Sequence, residues 1–247
     1  RKTADIEIVN ATDVIGNTLS VKDEKEIAAT RRACEISSVV AGEIPDMLSE
    51  GVTEKEVASR MDSRMRELGG SGNAFDTIAA FGAWSSQPHH MPSDYALKQG
   101  DAALFDFGTK YDRYCSDMTR TVFLGRPSEI LERAYDVVLR AQEAGIAEYR
   151  DGAMAKDADL AARAVIDSSE FKGRFIHSFG HGIGQDVHQH ISVSPRSDHV
   201  LRAGNIVSAE PGVYIPGVGG IRIEDTVLIT ENGCEVLTSF DHSFTVV

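Results

Sequence analysis

Positive charge is in short supply in this 247-residue chain: 25 Lys and Arg stand against 38 Asp and Glu, a net charge of −13 at pH 7. So acidic a surface repels phosphate, and neither nucleic acid nor an anionic membrane is expected as a partner. Cysteine is scarce too. The three thiols, Cys34, Cys115 and Cys234, are odd in number and show neither metal nor redox spacing. They are expected as reduced packing residues in a reducing, cytoplasmic setting. No apolar run approaches the roughly 20 residues that span a bilayer, and no signal peptide is visible. The chain begins at Arg1 without a methionine, which leaves room for a lost upstream segment. What is present suits a globular protein: 42% hydrophobic and 26% charged residues, in a length that makes one large domain or two small ones.

Acidic residues recur at matched places. Leu104–Gly108 and Cys115–Phe123 are β-prone runs on either side of a polar turn at Asp112 and Arg113. A regular ladder centred between Tyr111 and Asp112 would put Asp106 directly opposite Asp117 on one face, with Cβ atoms roughly 4.5–5.5 Å apart. Asn205–Glu210 and Gly220–Leu228 are symmetric about Gly217, which would set Glu210 opposite Glu224 unless Pro211 and the glycines insert a bulge. Facing carboxylates in apolar strands destabilise a sheet unless positive charge lies between them. Each acid alone reads as a solvated strand or turn residue. Together, with Asp106 between two phenylalanines and Glu224 between Ile223 and Asp225, they read as a two-metal site. His181, in Phe179-Gly180-His181-Gly182-Ile183-Gly184, is the imidazole candidate, its flanking glycines admitting backbone and solvent close to the ring. Four carboxylates and one imidazole suit a pair of divalent Mn, Co, Fe or Zn ions.

Along the chain, Ile6-Glu7-Ile8-Val9 is strand-like and a polar connector runs to Ser20. A helix follows with Ile27, Cys34, Ala41 and Leu48 on one stripe, kinked or shortened at Pro45. The next has a capping box, Thr53 with Glu56, apolar positions at Val57, Met61, Met65 and Leu68, and a stop at Gly69-Gly70. After the first hairpin, Ser128 can cap a helix carrying Leu131, Ala134, Val138 and Ala141, and a further helix holds Leu160, Ala161, Ala164 and Val165. The order helix, helix, hairpin thus occurs twice. It predicts two similar halves that bury their hairpins against each other with metal between.

Five motifs in combination, Asp106-Phe107-Gly108, Ser116–Thr121, Gly180–Gly184, Glu210-Pro211-Gly212 and Arg222–Thr226, resemble those of the pita-bread metallopeptidases. The likeness runs over nearly everything from about residue 20. Through Arg222-Ile223-Glu224-Asp225 it is closer to the prolidases and Xaa-Pro aminopeptidases than to the methionine aminopeptidases. The resemblance implies an α+β pita-bread (creatinase/aminopeptidase) fold over residues 21–247, two pseudo-symmetric halves with an antiparallel sheet flanked by helices. It implies that Asp106 chelates one metal, that Asp117 and Glu224 bridge both, and that His181 and Glu210 complete the second metal's ligands. A metal-bridging hydroxide would then be the nucleophile and Glu210 the proton shuttle. By the same likeness His89 contacts substrate or leaving group, His188 stabilises the tetrahedral intermediate, and His177, Arg222 and Tyr214 line the substrate pocket.

The implied substrates are short peptides with proline at the second position, cut by an Xaa-Pro dipeptidase or an Xaa-Pro aminopeptidase. Residues 1–20 would be the linker or tail of an amino-terminal domain, since Lys22–Ile27 resembles the junction that follows one. A homodimer is the base-rate expectation. His90, His190, His199 and His242 read as ordinary packing or surface residues. Gln189 departs from the pattern, since glutamate usually follows the histidine at 188; the amide keeps hydrogen bonding and drops a charge. Three other readings stay open at this point: a methionine aminopeptidase-like enzyme, a metal-dependent hydrolase or lyase of a small non-peptide substrate, and a non-enzymatic peptide-binding module on the same fold.

Overall fold

The structure, a computed structural model, describes residues 10–247; the strand-like Ile6–Val9 lies outside them. Where a polar connector was expected there is a helix, α1 (Thr12–Ser20). Helix α2 (Glu24–Met47) opens with a capping box in which the Asp23 side chain accepts from the amides of Lys25 and Glu26 while Glu26 returns to the Asp23 amide. Cys34 and Ala41 are fully buried on its inner stripe. Pro45 falls in the last turn, where the helix stops two residues later. Helix α3 (Glu54–Glu67) has the expected Thr53–Glu56 box and buries Val57, Met61 and Met65.

The first half continues with β1 (Gly72–Asn73), β2 (Ile78–Phe81), β3 (Ala102–Phe107), β4 (Thr109–Tyr111), β5 (Tyr114–Cys115) and β6 (Met118–Phe123). Strands β2-β3-β6 form one antiparallel sheet and β1-β4-β5 another. Phe105 and Phe107 on β3 are fully buried in a cluster with α2 and α3. At roughly 1.5–3 kcal/mol for each such side chain, their burial fixes the strand on either side of Asp106.

The second half repeats the plan. Helices α4 (Glu129–Ile146) and α5 (Ala155–Asp167) precede β7 (Gly180–Gly182), β8 (Gln189–Val193), β9 (Ile206–Ala209), β10 (Gly212–Ile215), β11 (Gly219–Arg222), β12 (Asp225–Thr230) and β13 (Gly233–Val236). Strands β13-β12-β9-β7-β8 make a five-stranded antiparallel sheet and β10-β11 a hairpin, sharing one apolar core with α4 and α5. Two details differ from expectation. Ser128 occupies the N-cap position of α4 without a side-chain cap bond. Helix α5 buries Ala155, Ala158, Ala162 and Ile166 rather than the stripe through Leu160, which is 47% exposed. The apolar arc of α5 is broad, running from Ala155 and Ala158 round to Leu160 and Ala164, and packing against α4 selects one side of it.

Register decides how the acids meet. In the first hairpin Asp106 pairs with Thr119, not with Asp117. The cause is the turn: Asp112 and Arg113 both take positive φ, 45° and 77°, forming a two-residue connection that moves the ladder's centre between them. Asp117 therefore lies diagonally across from Asp106. The second hairpin is symmetric about Gly217, as expected, with Gly212 opposite Arg222 and Ala209 opposite Asp225. That register sets Glu210 against Glu224, but the ladder opens there. The Glu210 amide donates to Phe179 O (2.8 Å) and the Glu224 amide to Thr119 O (3.1 Å). The Thr119–Glu224 bridge is where the two hairpins join.

Candidate metal centre

Opening the second hairpin at Glu210 and Glu224 turns both side chains into a cavity of about 430 Å³ between the two halves. Asp106, Asp117 and His181 line the same cavity, so the five expected ligands are brought together. The His181 Nε2 atom stands 3.4 Å from Asp117 Oδ2 and 3.3 Å from Glu210 Oε1. Asp117, His181 and Glu224 each offer a ligand atom within 4.8 Å of the others. Thr119 Oγ1 donates to Glu224 Oε2 at 2.6 Å. Asp106 is tied through Oδ2 to Arg222, while its Oδ1 is buried and has no hydrogen-bond partner.

The electrostatics of this group ask for a cation. Burial, and then the neighbouring carboxylates, push Asp117 and Glu224 well above the ordinary carboxylate range. Asp106 is raised as well, burial outweighing the adjacent Arg222. Burial would also raise Glu210, but the bond and charge of His181 bring it down to about 2. Correspondingly, burial would lower His181, and Glu210 raises it instead. The four acids are thus met by Arg222 at Asp106, by His181 at Glu210, and by protons that the raised pKa values favour. A divalent ion would replace those protons, and an orphaned buried carboxylate oxygen is a ligand in waiting. The donor set fits the expected metals.

The outer residues fall into place around it. His89 and His188 line the cavity, and the His188 ring meets His181 edge-on at 4.3 Å between centroids. Burial, then the charge on His181, lowers the His188 pKa. Arg222, 2% exposed, spends its guanidinium on Asp106, on Thr119 Oγ1 (2.9 Å) and on Tyr214 OH (2.9 Å). Since Tyr214 accepts from Arg222, its own proton goes to His177 Nε2 (2.8 Å), and His177 Nδ1–H donates to Ser178 O (2.8 Å). One neutral tautomer of His177 results, and burial lowers its pKa accordingly. Tyr214 acts behind the cavity wall, buried among these partners. Gln189 accepts at Oε1 from Lys22 Nζ (2.9 Å), a buried amine that burial lowers to about 8.

Several residues here had no signal in the sequence. Thr119 bonds Glu224, and Thr226 Oγ1 holds the Asp117 backbone through its amide (3.1 Å) and carbonyl (2.7 Å). The alternation Asp117, Thr119, Thr121 leading into and along β6 is the one hint, since it places polar groups where a core strand should be apolar. His242, expected as an ordinary surface residue, is only partly exposed and bonds the buried Asp225 at 2.6 Å. His90 is a packing residue, as expected, with Nε2 2.8 Å from Glu54 Oε2. His190 and His199 pack edge-on against each other, away from the acids.

A two-lobed antiparallel fold that gathers four acids and a histidine over one cavity defines a metal-binding hydrolase scaffold. Residues 28–231 match metallopeptidase family M24, and the chain belongs to that family, with its pita-bread fold. It is 41% identical over 239 residues to an Xaa-Pro dipeptidase of Pyrococcus horikoshii, covering 96% of this chain and 68% of that one. The solved Xaa-Pro dipeptidase from Bacillus anthracis superimposes with a TM-score of 0.95 at 36% identity, over 98% of this chain and 68% of that one. An X-Pro aminopeptidase from Thermotoga maritima gives 0.92 at 40% identity, over 95% and 67%. The chain spans 63–68% of the length of the curated relatives it matches.

Proposed function

We propose that residues 21–247 form the catalytic unit of a divalent-metal-dependent exopeptidase that hydrolyses Xaa-Pro bonds in short peptides. The observation that carries this reading is the convergence of Asp106, Asp117, His181, Glu210 and Glu224 on one cavity, with three acids raised by burial and one carboxylate oxygen unpartnered. The similarity to Xaa-Pro dipeptidases and an aminopeptidase supports the substrate class. Those five residues would hold two divalent ions, drawn from Mn, Co, Fe and Zn. Such ions supply carbonyl polarisation and acidified water.

The chain's own groups do the rest. Glu210, which lines the cavity, accepts a proton at its carboxylate and passes it to the departing amine. His188, kept neutral, offers an N–H to oxyanion charge on the substrate carbonyl, and His89 contacts the leaving side. Phe75, Ile78, Val187 and Met91 form the apolar wall that receives the proline ring. Arg222 and Tyr214 hold Asp106 and His177 in place.

A cytoplasmic homodimer is the accompanying proposal. Burial pushes the Cys34 thiol up to about 12 and the Cys115 thiol to about 11, the pattern of inert reduced cysteines. No helix among the described residues is long and apolar enough to cross a membrane. The test is hydrolysis of an Xaa-Pro dipeptide and an Xaa-Pro-Yaa tripeptide after chelation and again with added Mn. Metal-restored cleavage of the dipeptide alone indicates a dipeptidase, and cleavage of the tripeptide an aminopeptidase. A metal-loaded chain that cuts neither refutes the proposal.

A further inference from the structure

Immediately after Glu224 comes a fifth acid the mechanism does not use. The Asp225 carboxylate is fully buried and accepts four hydrogen bonds: Oδ1 from Arg120 (2.7 Å) and Thr238 Oγ1 (2.6 Å), Oδ2 from Gln142 Nε2 (2.8 Å) and His242 Nε2 (2.6 Å). Four donors saturate an ionised carboxylate. Arg120, 1% exposed, also reaches backbone: NH1 donates to Thr119 O (2.9 Å) and Glu224 O (2.6 Å) and NH2 to Phe240 O (2.8 Å), while its buried Nε has no partner. Residues 119 and 224 are the pair through which the two hairpins join, and the Thr119 hydroxyl bonds the Glu224 carboxylate. One guanidinium therefore sets the spacing of the two hairpins at the candidate metal centre, and Asp225 sets the guanidinium.

His242 reaches this group from the carboxy-terminal segment, which is fastened along β6. Phe123 donates to Thr245 O (3.0 Å), and Val247 and Gly125 complete the pairing (both 2.8 Å). Phe244 stacks on Phe123 at 4.8 Å, and Tyr135 OH donates to the carbonyls of His242 and Ser243 (both 3.1 Å). Of the side chains that saturate Asp225, His242 alone is substantially exposed, at 34%, against 1% for Arg120 and Gln142 and 3% for Thr238. It can be replaced without opening the core.

We propose that His242 is a positioning residue for the metal centre, acting through Asp225 and Arg120 to hold Glu224 and Thr119 where they meet the ion. This rests on reading the four acids and His181 as the ligands. Loss of the His242 bond leaves Oδ2 with Gln142 alone and loosens the start of β12, which follows directly on Glu224. Outer partners of this kind change metal affinity by roughly 10–100-fold; His242 acts at one remove, so the effect sits at the low end, about tenfold.

The experiment is competition of Mn²⁺ against a chromogenic chelator for the whole chain as wild type, His242→Ala and His242→Gln, with melting temperatures recorded alongside. Expected are about tenfold weaker binding for His242→Ala and near-wild-type binding for His242→Gln, whose amide occupies the place of Nε2. Binding by His242→Ala within about twofold of wild type overturns the proposal. So does equal weakening in both variants, which would mark general packing of the tail rather than the hydrogen bond. A wild-type chain that takes up no Mn²⁺ refutes the ligand reading itself, a result distinct from either.

Discussion

Replacing Arg222 with methionine isolates the charge problem at the heart of the site. Among the described residues lining the cavity Arg222 is the one Lys or Arg, beside Asp106, Asp117, Glu210 and Glu224. Burial would lower its pKa, yet its neighbours, the Tyr214 hydroxyl and then the Asp106 carboxylate, hold it well above its ordinary value. Methionine keeps the stem and removes the cation together with the bonds to Asp106, Tyr214 and Thr119. Breaking a buried pair from one side costs about 3–5 kcal/mol. At about 2–4 °C per kcal/mol for a chain of this size, the metal-free protein should melt about 6–20 °C lower. Saturating divalent metal supplies the missing positive charge, so the gap between variant and wild type should narrow when metal is added. Thermal melting followed by circular dichroism at neutral pH, with chelator and with excess Mn, reads both effects. A drop under about 2 °C in chelator, or the same drop with and without metal, would refute the view that Arg222 compensates the acids.

Three further outcomes follow from the same geometry. Asp117, Glu224 and His181 have raised pKa values in the folded chain, so their contribution is fully present below the unfolded values, about 4 for the acids and about 6.5 for His181, and is lost as pH rises through the folded ones. Glu210, lowered to about 2, works oppositely and is lost only as pH falls toward that value. Metal replaces the retained protons, so the rise in melting temperature on adding metal should grow from mildly acidic to mildly alkaline pH; a pH-independent rise would contradict the assignment. In Gly180→Ala the new Cβ would overlap the Ser208 carbonyl between β7 and β9, costing about 1–3 kcal/mol and shifting His181. Chelator competition should then show weaker metal binding, and unchanged affinity would count against His181 as a ligand. Tyr214→Phe removes the hydroxyl that fixes the His177 tautomer; steady-state kinetics should show kcat/KM falling about tenfold, equivalent to about 1.4 kcal/mol, with metal affinity little changed, whereas a parallel loss of metal would place Tyr214 in the wrong role.

Local patterns in the sequence pointed to most of the residues that the structure brings to this cavity. Symmetry about Gly217 predicted the register of the second hairpin, and the facing acids then followed from the period of a strand. The first hairpin went astray by a single step because a turn with two left-handed residues, neither of them glycine, was centred one position early. In α5 the apolar arc is wider than one buried stripe, and packing against α4 selects the side that is covered. The Arg120–Asp225–His242 group was invisible for a different reason. Its members lie far apart in the sequence, so no spacing rule connects them, and an isolated histidine near a chain end carries no pattern. Thr119 and Thr226 were hidden likewise, being polar groups whose partners sit on the other half.

The most direct test of the central claim is the metal content of gently purified protein by mass spectrometry, with the Asp106→Asn variant prepared beside it. Four acids and one imidazole over one cavity predict about two divalent ions per wild-type chain, and a marked loss of metal once Asp106 no longer offers a charged ligand. No metal uptake at neutral pH, or an undiminished content in the variant, would contradict the account.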